Sequence, residues 1–211
     1  MYLSGEVRWF FRGESSRDVH QWFEAGGRGR SEPERTDEYL LLPDCETVSV
    51  KLRDGKFEIK ACTKAPAQAE YADKVCGLRD TWVKWSSSAG DVDQFRSQFV
   101  RAEDDWANVT KKRHLRLFSL ESDSPAEIAV GQSWLSRGCQ VELTDIRVQS
   151  ARDELSPAET WWSLSFESFG DSETLLESLD LVVPAFFLDM PPVTLNYKSS
   201  LSYPAWLNRL G

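Results

Sequence analysis

Three stretches of this chain alternate apolar and polar residues with a period of two, and that pattern confines them to β-strands, because successive strand side chains point to opposite faces. In 47–53, Val48, Val50 and Leu52 alternate with Thr47, Ser49, Lys51 and Arg53. In 56–60, Phe57 and Ile59 alternate with Lys56, Glu58 and Lys60, and in 162–167, Trp162, Leu164 and Phe166 alternate with Ser163, Ser165 and Glu167. Such strands have two ways to satisfy both faces. Either the polar face meets water while the apolar face covers a core, or the polar faces line a closed lumen and helices cover the apolar faces from outside. Periodicity alone leaves both open.

Further strands are expected at 3–11, 38–42, 81–86, 107–120, 139–148 and 160–169. Asp54-Gly55 signals a tight hairpin after the 47–53 strand, since a type I′ turn needs positive φ at both central positions. A short helix is expected over 17–24, opened by Ser15 or Ser16 and ended at Gly26-Gly27. The run 28–36, rich in Gly, Pro and charge, reads as a mobile connection. A helix is expected at 91–99, and an amphipathic one over 171–183, capped by Asp171 or Ser172 and ended near Pro184. Seven or eight strands with few helices, and no repeat or linker, give one mainly β domain over 1–211, a barrel or a sandwich.

The net charge of −9 argues against nucleic-acid binding, because a phosphate backbone would meet repulsion. No apolar run approaches the ~20 residues that span a bilayer, and residues 1–11 lack a signal-peptide core, so a cytoplasmic location away from membranes is expected. Cys45, Cys62, Cys76 and Cys139 form no C-x-x-C pair, and His20 and His114 stand far apart in sequence. Carboxylates, lysines and arginines are left to carry any chemistry. The nine tryptophans, Trp82, Trp85, Trp161 and Trp162 among them, are expected to pack beneath covering helices.

A set of short motifs in strand order carries a family resemblance. These are Glu6-Val7-Arg8-Trp9-Phe10, Tyr39-Leu40-Leu41, Val50-Lys51-Leu52-Arg53 with Asp54-Gly55, Phe57-Glu58-Ile59-Lys60, Val109-Thr110-Lys111-Lys112-Arg113, Val141-Glu142-Leu143, Leu164-Ser165-Phe166-Glu167 and the late Ser202-Tyr203-Pro204-Ala205-Trp206-Leu207. Together they resemble the CYTH and triphosphate tunnel metalloenzyme superfamily, over nearly the whole chain. The resemblance implies a closed eight-stranded antiparallel tunnel with a few covering helices. It implies a small phosphorylated or polyphosphate ligand clamped by Arg8, Lys51, Arg53, Lys60 and Arg113. It further implies Mg²⁺ or Mn²⁺ held by Glu6, Glu142 and Glu167 to position a water for phosphoanhydride hydrolysis.

Glu58 shares a face with Lys60 and is expected to pair with it; Lys84, Lys111 and Arg116 are further candidates, since 111–117 admits two inward faces. The sequence departs from the family at the first strand. Where Glu-x-Glu-x-Lys is usual, Glu6 is followed by Arg8 and Phe10, and the late Glu-x-Glu is here Ser165 and Glu167. The alternative function is therefore a non-catalytic anion-binding or regulatory domain on the same barrel. A lipocalin-like carrier of apolar ligands is the third reading.

Overall fold

The computed structural model describes residues 2–87, 106–122, 124–131, 135–150 and 157–210. The helix expected at 91–99 lies outside them. In chain order the elements are β1 (Tyr2–Arg12), α1 (Arg17–Glu24), β2 (Arg30–Ser31), β3 (Arg35–Leu40), β4 (Val48–Arg53), β5 (Lys56–Ala72), β6 (Val75–Ser86), β7 (Trp106–Ser119), β8 (Ala126–Ile128), β9 (Gly138–Ser150), β10 (Glu159–Phe169), α2 (Leu175–Phe186) and α3 (Tyr203–Leu207).

Eight of the strands close on themselves. The antiparallel order β7-β3-β4-β5-β6-β1-β10-β9 is completed by pairing of β9 with β7, so the barrel has no free edge among the described residues. The short β2 and β8 add to β7. Asp54 and Gly55 turn β4 into β5 with φ of 49° and 68°, as the dipeptide requires.

Closure decides between the two destinations of the alternating faces. Val7 and Trp9 of β1, Val141 and Leu143 of β9, and Leu164 and Phe166 of β10 point outward, where Leu179, Val182, Val183 and Phe186 of α2 and Val19 and Phe23 of α1 bury them. Ser16 caps α1 by accepting from Val19 N–H at 3.3 Å. At one end of the interior a second apolar group forms, in which Phe10, Val109, Ile146 and Val148 surround Trp206 of α3. Trp206 stacks on Phe10 with centroids 4.6 Å apart and planes 3° off parallel.

Several expectations need correction. The strand expected from the alternation at 56–60 runs on to Ala72, and its partner starts at Val75 rather than Thr81. The register shift between Lys64 and Ala67 takes in Pro66, which an unbroken ladder would not accommodate. The turn between them, Asp73-Lys74, places Lys74 at φ 64° without a glycine to announce it. The connection at 28–36 contains β2 and the start of β3. Pro184 lies inside α2 instead of ending it; the extra turn buries Phe186 and Phe187 against Trp9 and Phe166, offsetting the hydrogen bond that proline cannot make. The cap position is Thr174, not Asp171 or Ser172. Among the tryptophans, Trp162 packs with the outer core as expected, whereas Trp161 meets Trp206 at the apolar end, Trp82 faces the interior and Trp85 is 44% exposed.

Candidate functional site

The inward positions not taken by the apolar plug enclose a cavity of about 460 Å³. Its lining includes eight cations, Arg8, Arg35, Lys51, Arg53, Lys60, Lys84, Lys111 and Arg113, against four carboxylates, Glu6, Glu58, Glu142 and Glu167. All eight residues named for phosphate and metal thus reach one space. They do so from β1, β4, β5, β7, β9 and β10. Lys84 and Lys111 join them, but Arg116 does not. In β7 the odd positions 111 and 113 face inward, and Arg116 instead holds Glu127 at 2.6 Å beneath α1 and α2.

Most of these charges are already engaged. On one wall Arg53 grips Asp37, donating from Nε and Nη2 at 2.8 Å each, while Lys111 donates to the same carboxylate at 3.2 Å. Arg35 and Lys51 approach Asp37 at 3.7 and 3.8 Å. Burial alone would raise the Asp37 carboxyl, but these cations outweigh it and hold it far below the usual range. Lys111 donates to Tyr39 Oη at 2.7 Å and lies over the Tyr203 ring at 4.3 Å. Burial, and after it the neighbouring cation Lys51, keeps its ammonium pKa well below the ordinary lysine value, against the pull of Asp37. Lys51 is likewise lowered by burial and by Arg53, to about 8.

Two positions along β7 from Lys111, Arg113 donates to Glu142 Oε2 from Nε at 2.8 Å and Nη2 at 2.5 Å, and Arg8 stands 3.7 Å from Oε1. Burial works to raise Glu142, yet Arg113 and Arg8 bring it well below the usual carboxylate range. Lys60 donates to Glu6, and Ser4 Oγ donates to the same oxygen at 2.8 Å. The expected Glu58–Lys60 pair does not form: Glu58 binds Lys51 at 2.7 Å across the β4–β5 ladder, where the two are register partners. Glu6 faces Glu167 on β10 and Asp80 on β6 in register, so three acidic residues cross the sheet side by side. Like charge and burial there have a cost. Burial first, then Glu6, pushes the Asp80 carboxyl up to about 7, although Trp82 Nε1 donates to it at 2.6 Å.

Glu167 makes no ion pair among the described residues, whereas Glu6 and Glu142 are held by Lys60 and by Arg113 with Arg8. The three carboxylates expected to hold a metal are therefore not gathered into one set of open ligands. Phe10, at the position where the resemblance places a lysine, stacks on Trp206 in the apolar group and is not among the residues lining the cavity. Arg35, Tyr39, Trp82 and Tyr203 line the cavity without having been named for it from the sequence, and Asp37 stands behind the lining as the counter-ion of its cations. Once β3 is known to begin at Arg35, strand parity finds four of them: Arg35, Asp37 and Tyr39 alternate on β3, and Trp82 stands two positions from Lys84 on β6.

No protein-family model matches the chain, and no curated protein matches it. Among solved structures it is similar to a protein from Pyrococcus horikoshii OT3, at 14% identity and a TM-score of 0.41 over 92% of this chain and 93% of that one. It is also similar to a conserved hypothetical protein from Pyrococcus furiosus, at 12% identity and 0.41 over 93% and 94%. No helix among the described residues is long and apolar enough to cross a membrane.

Proposed function

We propose that the barrel is a binding domain for a small phosphorylated or polyphosphate anion, of the kind the triphosphate tunnel resemblance implies. One observation carries this reading: eight cations and four carboxylates face a single cavity inside a protein whose overall charge is −9. A local surplus of guanidinium and ammonium groups against that acidic background favours an anion of several charges. The cavity volume lies in the range of small-molecule sites, roughly 300–1,000 Å³. Arg8, Lys51, Arg53, Lys60 and Arg113 contribute the charge, and Tyr39, Trp82 and Tyr203 contribute flat walls.

The non-catalytic form of this reading is the better supported. Arg8 and Phe10 replace the family's second glutamate and its lysine, and Glu6 and Glu142 are committed to protein cations. Carboxylates so committed give no basis for a hydrolytic step through Mg²⁺ or Mn²⁺. The test pairs thermal unfolding with phosphate release, using tripolyphosphate, ATP and thiamine triphosphate with and without Mg²⁺ or Mn²⁺. Stabilisation without turnover is the expected result. Metal-dependent turnover abolished by Glu167→Gln would replace the binder with a triphosphatase, and preference for a hydrophobic dye over pyrophosphate would replace both with a carrier.

A further inference from the structure

The chain has two histidines, 94 positions apart in sequence, and the fold brings them together outside the cavity. His20 lies on α1 and His114 on the outer face of β7, with ring centroids 5.0 Å apart and planes at 69°. Glu24 follows His20 by four residues, one turn along the same helix face, and its Oε1 stands 3.4 Å from His114 Nδ1. One ligand atom from each of His20, Glu24 and His114 lies within 4.8 Å of the others.

Each imidazole is already oriented by a partner on one nitrogen. Ser31 Oγ sits 2.9 Å from His114 Nδ1, and Ser15 Oγ sits 2.6 Å from His20 Nε2 while also donating to Asp145. Asp145 Oδ2 approaches the same His20 nitrogen at 3.5 Å. The other nitrogen of His114, Nε2, is buried and takes no hydrogen bond among the described residues, in a residue only 8% exposed. A buried ring nitrogen without a partner is costly unless something fills the vacancy. Imidazoles held from behind by hydroxyl and carboxylate groups are the usual setting of metal-ligating histidines.

We infer that His20, Glu24 and His114 form a site for a divalent transition metal such as Zn²⁺. Two imidazoles and one carboxylate suit Zn²⁺, Ni²⁺ or Co²⁺ rather than Mg²⁺, which prefers oxygen ligands alone. Ligand atoms on one zinc stand about 3–3.5 Å apart, and Glu24, which lies beside His114 Nδ1, must swing past the ring to meet an ion on Nε2, a movement its exposure allows. Glu24 is exposed and His20 half-buried, which gives the ion a route in and gives the carboxylate freedom to move. Three protein ligands leave room for water. The ion would pin α1 to the barrel wall at β7.

The test uses the full chain, stripped with a chelator and titrated calorimetrically with Zn²⁺ alone, then with Co²⁺ followed by visible absorption. One equivalent is expected to bind, to raise the unfolding temperature and to resist displacement by excess Mg²⁺. Co²⁺ is expected to show the d–d bands of nitrogen and oxygen ligation. Glu24→Gln, on the exposed surface, should weaken Zn²⁺ on the order of tenfold, and His20→Ala on the order of a hundredfold. Absence of Zn²⁺ binding overturns the inference, as does binding that survives both substitutions.

Discussion

Arg53 donates two parallel hydrogen bonds to Asp37, one to each carboxylate oxygen at 2.8 Å, from the strand neighbouring the one that carries the acid. Asp37 is fully buried, and four cations surround it. It is the counter-charge that allows so many cations to share one interior. Removing it leaves Lys111, itself 5% exposed, beside Lys51 and Arg53 without its own ion pair. Asp37→Asn is expected to cost about 3–5 kcal/mol of unfolding free energy, as for other buried pairs broken from one side. Urea unfolding measures it, and a loss below about 1 kcal/mol would mean the cluster is solvated.

Asp80 gives the fold a pH dependence with a definite sign. The carboxyl is raised from 3.8 to about 7, so across that window the folded chain holds a proton that the unfolded chain has released. Stability from this group is therefore full below about pH 4 and falls as pH rises towards 7. Asp80→Asn keeps an acceptor for Trp82 and removes the titration. Its melting temperature is expected to exceed the parent's at pH 8 and to match it at pH 4, the gap at pH 8 corresponding to a few kcal/mol of unfolding free energy. Equal melting curves at both pH values would contradict the burial of this acid.

Lys51 sets a second pH dependence, this one on binding. With its ammonium lowered to about 8, the cavity loses positive charge as pH rises through that value. Sulfate is the proper probe, because its own charge is fixed over this range. Its affinity is expected to be highest below pH 8 and to decline above it, and Lys51→Met should flatten the profile. A profile unchanged by the substitution would remove Lys51 from the site.

Strand parity made the polar face of β4 legible in the sequence, because Ser49, Lys51 and Arg53 alternate with Val50 and Leu52 without interruption. The same rule failed at β3, where Pro33 and a run of charges hid a strand beginning at Arg35 and with it Asp37. Glu58 was placed on the right face but given the wrong partner. Parity fixes a face, whereas pairing depends on the neighbouring strand's register, which sets Glu58 opposite Lys51. Phe10 looked like a lost phosphate ligand, and only the distant Trp206 shows it to belong to the apolar group at one end of the barrel. His20 and His114 carried no signal at all, since helix α1 must fold back on β7 before they meet.

In the proposed function, charges from separate strands act together on one enclosed anion. Calorimetric titration of tripolyphosphate into the parent chain and into Lys60→Met, at low and high salt, measures that joint action. One equivalent per chain is expected to bind the parent, weaken steeply with salt and weaken at least about tenfold in the variant, the loss of one charge-assisted contact. Heats that never saturate, or identical isotherms for parent and variant, would contradict it.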